Sequence, residues 1–163
     1  MNSVSISVCI ILLVVANGAP VLVADIFKSR WAWPLDGGHQ FIDGKPWFGA
    51  SKTWRGVFVA LMATALAGQW LQLGWQLGAT VGALAMLGDL LSSFIKRRIG
   101  IAASGRAWLL DQVPESALPV LLLQEPLGLT SVTEVLLVIV IFTLLEISIS
   151  PLLYRLHIRK RPY

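Results

Sequence analysis

Asp89 is the residue in this chain that most requires a chemical reason. It sits within an apolar run, where a charged side chain costs about 2.5–3.5 kcal/mol on insertion scales. An intramembrane acid is by default a candidate functional group. Seven residues later comes Lys96-Arg97-Arg98, about 10 Å further along a helix that rises 1.5 Å per residue. A carboxylate can take a hard divalent cation and the basic cluster above it can take phosphates, so the spacing suits a metal-assisted reaction of a phosphate compound. Asp111, in Leu109-Leu110-Asp111-Gln112, offers a second carboxylate, and Thr53, Ser92 and Ser93 offer hydroxyls. At 100° per residue, Gly78, Gly82, Ala85, Asp89, Ser92, Ser93 and Lys96 share one helix face, small at one end and polar at the other. Small residues let a neighbouring helix approach closely, so this face is expected to look into a bundle rather than at lipid.

A second polar segment runs from Asp25 to Arg55 and contains LDGGHQF and DGKPWFGASKTWRG. Its glycines, prolines and aspartates mark irregular structure. Backbone N–H groups at Gly37, Gly38 and Gly49, with Lys45, Lys52 and Arg55 near in sequence, are candidates for cradling phosphate. A Walker-type loop is rejected, because Gly49 is followed by Ala-Ser instead of Gly-Lys-Ser/Thr and no strand precedes it. His39 has no partner at metal-ligand spacing and reads as a loop hydrogen-bonder. Cys9, the single cysteine, lies in an apolar run, which leaves no disulfide framework and no paired-cysteine metal site.

What must position these groups is a membrane bundle. Of the 163 residues, 56% are hydrophobic and 13% charged, against about 25% charged in soluble chains, and the apolar residues fall in long runs. The expected fold class is all-α: one polytopic transmembrane domain over residues 1–163, with about five spans near 5–23, 54–73, 75–95, 113–124 and 132–153. No Lys or Arg precedes the first span, which therefore reads as a retained helix rather than a signal peptide. Asn17, Gly18 and Pro20 interrupt its inner half, and Pro20 leaves a backbone carbonyl near Ala16 in need of a partner. The fourth span is short and holds Pro114 and Pro119, which suits a tilted or partly re-entrant helix. Glu146 lies inside the fifth, where a partner in the bundle or a place near the headgroups would each account for it. Lys28, Arg30, Lys45 and Lys52, then Lys96, Arg97, Arg98 and Arg106, then Arg155, His157, Arg159, Lys160 and Arg161 all fall on one side of five spans. That places the N-terminus outside, and the C-terminus and both polar loops in the cytoplasm.

The segments NGAPVL, LDGG, FGxxKTWRG, GDLLSSFIKRRIGI and LLDQ, in this order and spacing, resemble the CDP-archaeol synthase family, membrane cytidylyltransferases similar to the CDP-diacylglycerol synthases. The likeness runs from about Asn17 to Gln112. It implies Mg²⁺-dependent transfer of a cytidylyl group from CTP to a membrane lipid phosphate, giving CDP-lipid and pyrophosphate. On this resemblance Asp89 and Asp111 hold Mg²⁺ and form the catalytic set with Lys96. Lys96 and Arg97 neutralise CTP phosphates, while Lys52, Thr53 and Arg55 bind phosphate or nucleotide. Asn17, Asp36, Gly37 and Gly38 shape the site, and Ser93 and Arg98 complete the substrate-binding set. The implied partners are CTP, the lipid phosphate and the bilayer, with no nucleic acid; neither the lipid's chains nor the oligomeric state is fixed.

Two positions depart from the family pattern. The family loop reads like FGDGKTWRG, whereas Ala50-Ser51 precede Lys52 here. The family also tends to carry a second acid three residues after the aspartate of LDQ; that position is Pro114, with Glu115 beside it. The lost carboxylate leaves three alternatives: one metal rather than two, a different substrate, or weakened catalysis. The competing class is a small transporter or lipid-binding membrane protein with Asp89 as its coupling or headgroup residue. Transporters commonly carry paired hydropathy repeats, and none is evident in this sequence.

Overall fold

The first apolar run forms an unbroken helix, α1 (Ser3–Phe27), which continues through Pro20. At 1.5 Å per residue it is about 37 Å long, enough to cross about 30 Å of hydrocarbon. The computed structural model describes residues 3–155 except 104, 106 and 108. Arg106 and the tail residues His157, Arg159, Lys160 and Arg161 lie outside the described residues. Four helices follow α1: α2 (Trp54–Trp70), α3 (Trp75–Arg98), α4 (Gln112–Leu122) and α5 (Val132–Arg155). The all-α expectation holds, and the extended pairing among the described residues is confined to isolated bridges, Pro34 with Thr53 and Gln40 with Pro46. Helices α1, α3 and α5 are long and apolar enough to cross a membrane. Helices α2 and α4 are shorter, with 17 and 11 residues.

The small face of α3 packs on α2 through a turn at Gly74, whose φ of 85° favours glycine. A Cβ on Gly78 would fall on the Thr64 carbonyl oxygen, and one on Gly68 would stand 2.7 Å from the Gly78 Cα. Gly82 meets the Thr64 hydroxyl and the Ala60 carbonyl. Thr64 is fully buried and satisfies its hydroxyl by donating to Ala60 O at 2.7 Å. Another flank of α3 is closed by α4, because at Gly88 the Pro114 carbonyl and the Glu115 Cα leave no room for a side chain. Leu12, Ala16, Val81, Ala85, Val120 and Phe142 form the buried apolar core joining α1, α3, α4 and α5. Phe58, Met62, Leu66 and Trp70 recur every fourth residue of α2 and are exposed, as are Leu136, Val140 and Leu144 on α5. Both stripes are apolar surfaces suited to hydrocarbon.

Candidate functional site: two acid–lysine pairs at one end of α3

The segment linking α1 to α2 delivers Lys52 to the flank of α3. Leu35 N donates to Lys52 O at 2.8 Å and Trp54 N to Trp33 O at 3.1 Å, so the backbone on both sides of Lys52 is pinned. Thr53 caps α2: its backbone is extended and its hydroxyl accepts Gly56 N at 3.2 Å. Held this way, Lys52 Nζ donates to both carboxylate oxygens of Asp89, at 2.6 and 2.5 Å. The two side chains are 23% and 21% exposed. The charge within the apolar run is thus compensated while one side of it stays open.

Lys96 and Asp111 make the second pair, with Nζ 2.5 Å from Oδ1 and the lysine side chain only 10% exposed. Lys96 also donates to Gly105 O at 3.2 Å, and Asp111 Oδ2 accepts Ala107 N at 3.0 Å. These bonds fasten the connection after α3 to the start of α4. Arg97 is buried beside them and donates through Nε to Ser93 O at 3.4 Å. Ser92 is buried and returns its hydroxyl to Gly88 O at 2.8 Å. Seven residues separate Asp89 from Lys96 on α3, about 10 Å of rise. The fold therefore brings Lys52, Asp89, Ser93, Lys96, Arg97 and Asp111 to the same end of one helix.

Several residues expected to shape the site or meet substrate tie the first loop together. Asp36 accepts Gly38 N at 3.0 Å on Oδ1, and Phe48 N and Gly49 N at 3.1 and 2.8 Å on Oδ2. Two of the three glycine amides proposed as a phosphate cradle thus face a carboxylate inside the loop. Gly37, Gly38 and Gly49 have φ of 57°, 79° and 93°, which the loop's curvature requires. Partial burial acts to raise the Asp36 pKa, but the donated N–H groups of Gly49, Gly38 and Phe48 outweigh it and hold the carboxyl below its ordinary value. Arg55 Nη1 donates to the carbonyls of Lys28 and Arg30. Arg98 lies between Phe41 and Phe94, its guanidinium carbon 4.8 and 4.7 Å from the ring centroids. It also pairs with Asp43 at 3.0 Å and donates to the Lys45 and Pro46 carbonyls. Asn17 Nδ2 donates to Leu13 O at 3.0 Å within its own helix, and the residue lines a groove between α1 and α5 that also carries Glu146. In this conformation the amides of Gly38 and Gly49 and one terminal nitrogen each of Arg55 and Arg98 are taken up by internal ties.

One group was missed. Glu115 is buried on α4, where its carboxyl hydrogen-bonds Glu146 and lies within electrostatic reach of Asp89 and Lys52. A bundle partner, rather than a headgroup position, thus accounts for Glu146. The available signal was a lone acid in the otherwise uncharged stretch QVPESALPVLL.

Among the described residues no group of three His, Cys, Asp or Glu side chains lies close enough to hold a metal ion unaided. Two hard carboxylates, each neutralised by a lysine, fit a different arrangement: a divalent cation that takes its remaining ligands from substrate phosphates. The donor chemistry therefore suits Mg²⁺.

An all-helical bundle with paired acids and lysines at one end of a central helix defines an integral membrane protein of the intramembrane-enzyme type. A solved structure described as an intramembrane enzyme for archaeal membrane lipids biosynthesis superposes on it with a TM-score of 0.73 at 26% identity, covering 86% of this chain and 89% of that one. The CarS-like family model, described as CDP-archaeol synthase, matches residues 71–163. The CDP-archaeol synthase of Pyrobaculum aerophilum is 30% identical over 154 residues, 91% of this chain and 92% of the relative. The chain belongs to the CDP-archaeol synthase family. The CDP-archaeol synthase of Hyperthermus butylicus is 40% identical over 106 residues, 60% of this chain. That alignment spans 59% of the relative's length, and the one with the Staphylothermus marinus relative spans 56%.

Proposed function

We propose that this protein is a Mg²⁺-dependent cytidylyltransferase that moves CMP from CTP to the phosphate of a membrane lipid, releasing pyrophosphate and leaving a CDP-lipid. The observation that carries this reading is the stacking of Lys52–Asp89 and Lys96–Asp111 along one end of α3. Membership of the CDP-archaeol synthase family supports it. Asp89 and Asp111 would hold the cation, which when bound supplies positive charge to the phosphate oxygens. Lys96 and the buried Arg97 face the same end and neutralise the triphosphate, so that negative charge building on the departing pyrophosphate is matched by fixed cations. A lipid phosphate oxygen attacks the α-phosphorus; the bond to the β-phosphate bridging oxygen breaks and pyrophosphate leaves with the electron pair. A phosphate monoester is already ionised near neutral pH, so the chain needs no strong general base and no serine, cysteine or histidine nucleophile.

The placement of Lys and Arg supports an N-terminus outside and a site in the cytoplasm, where CTP is available. Membranes containing the protein are expected to incorporate radiolabelled CTP into lipid only with Mg²⁺. Absence of such a product with both archaeal-type and diacyl lipid phosphates would overturn the reading. Selective thermal stabilisation by CTP with Mg²⁺ separates it from a transporter, which has no reason to bind the nucleotide.

A further inference from the structure

Gly18 is a helical glycine that the protein's own packing does not explain. Glycine inside a helix costs stability relative to alanine, so it needs a reason. At Gly56, Gly68, Gly78, Gly82 and Gly88 the reason is a neighbour, since a Cβ on any of them would meet an atom at 3.3 Å or closer. A Cβ on Gly18 would meet nothing within 4 Å. The space in front of it is the groove between α1 and α5. Val14, Gly18 and Val21 form one wall, and Phe142, Leu145 and Ile149 the other. Phe142 is buried in the core, while Val14 and Ile149 stand partly exposed at the rims. The polar side chains on the walls, Asn17, Glu146 and Ser150, have partners within the chain, so none of them requires water in the groove.

Both walls belong to helices long and apolar enough to cross a membrane, so what fills the groove is apolar and comes from the bilayer. Val14 and Val21 are seven residues apart, about 10 Å along the helix, which suits a stretch of extended hydrocarbon. One end of the groove abuts the site. Pro20, next to Val21, lies beside the first turn of α2: a Cβ on Gly56 would be 3.8 Å from the Pro20 Cβ and 3.3 Å from the Thr53 hydroxyl. Thr53 follows Lys52, whose ammonium meets Asp89. We propose that the groove between α1 and α5 seats a hydrocarbon chain of the lipid-phosphate substrate, and that Gly18 sets its width. A chain lying there brings its phosphate to the Lys52–Asp89 end of the groove. The inference rests on the reading of the protein as a lipid cytidylyltransferase, and it adds where the lipid's apolar part is held.

The test uses the full chain in lipid nanodiscs. Two probes are used, an archaeal-type and a diacyl lipid phosphate, each carrying a diazirine midway along one chain. After illumination, peptide mass spectrometry should find the label on residues 14–21 and 142–149. Excess unlabelled lipid phosphate should remove it, and the same chains under a phosphocholine headgroup should not. Gly18→Leu, which fills the groove, should lower this labelling several-fold. It should raise the KM for the lipid phosphate by on the order of 10-fold, with kcat and the KM for CTP nearly unchanged, as expected when binding common to ground and transition states is lost. Gly18→Ala should have a smaller effect in the same direction. Labelling elsewhere in the chain overturns the proposal, as does equal competition by the phosphocholine lipid, which would make the occupant bulk lipid only. Unchanged labelling and KM in Gly18→Leu overturn it too. If Gly18→Leu does not fold, Ile149→Trp narrows the groove from the other wall and is read by the same criteria. A wild type that makes no CDP-lipid defeats the cytidylyltransferase reading separately, and the competed labelling still decides the groove.

Discussion

Lys52 and Asp89, 37 positions apart in the chain, form an ion pair in which one ammonium meets both oxygens of one carboxylate. The pair joins the segment before α2 to the inner half of α3, and each member makes the other tolerable in a largely apolar bundle. Removing either should therefore have two separable effects, one on chemistry and one on stability.

Asp89→Asn keeps an acceptor for Lys52 but loses the charge that a cation needs. CDP-lipid formation should fall at least about 100-fold, and the uncompensated Lys52 ammonium should lower stability by about 1–3 kcal/mol. Lys52→Ala leaves Asp89 without its cation and should lower stability by about 1–3 kcal/mol, the pair being only partly buried. Wild-type turnover in Asp89→Asn would remove Asp89 from the site.

Arg98 should behave as a structural residue. Its flat guanidinium stacks on Phe41 and Phe94 while bonding Asp43 and two carbonyls, and lysine can reproduce neither the stacking nor the fork. Arg98→Lys is expected to cost about 1–3 kcal/mol by thermal or denaturant unfolding. Its remaining folded fraction should keep the wild-type KM for CTP; a large rise in KM would return Arg98 to substrate binding.

Glycines on α1 and α3 should respond in opposite directions. Gly78→Ala drives a methyl group onto the Thr64 carbonyl and should destabilise by about 1–3 kcal/mol. Gly18→Ala meets nothing within 4 Å and should gain up to about 1 kcal/mol from helix propensity. Paired melting curves of the two variants check the α2–α3 seam.

Asp36 gives the first loop an acid-sensitive tie. Its folded pKa lies below the ordinary 3.8, so its contribution is fully present above that value and is lost as the pH falls through the lower, folded one. Hydrogen exchange at Gly38, Phe48 and Gly49 amides, corrected for intrinsic rate, should stay slow at pH 5 and accelerate only on strong acidification. Asp36→Asn should show the faster exchange at pH 5 and above, with the difference closing on strong acidification.

The helices were legible because each apolar run is long or clearly bounded. The small face of α3 was legible because Gly78, Gly82 and Ala85 recur on one stripe. Asp89 stood out as a charge in an apolar run, but its partner did not, since no periodicity links positions 37 apart. The loop ties of Asp36, Arg55 and Arg98 were not legible, for a shared reason. Asp36, Arg55 and Arg98 are residue types that bind nucleotides and residue types that fasten loops, and only the direction of their donors separates the two uses. Glu115 was overlooked because its neighbour Pro114 drew attention as a missing acid, while the burial that makes Glu115 unusual comes from α3 and α5, far away in sequence.

The Arg98 cluster has a consequence for how the chain tolerates errors of length. Trp47 packs on Phe41 and Phe94 beside the guanidinium, so residues 41–48 are keyed to the last turn of the helix that carries Asp89 and Lys96. A one-residue insertion between 41 and 48 has nowhere to be absorbed and is transmitted to that helix as a misalignment. The same insertion near residue 29 falls in the turn that Arg55 holds through the Lys28 and Arg30 carbonyls and does not touch the Arg98 cluster. Melting temperatures of the two insertions would measure how unevenly that tolerance is distributed along one short loop.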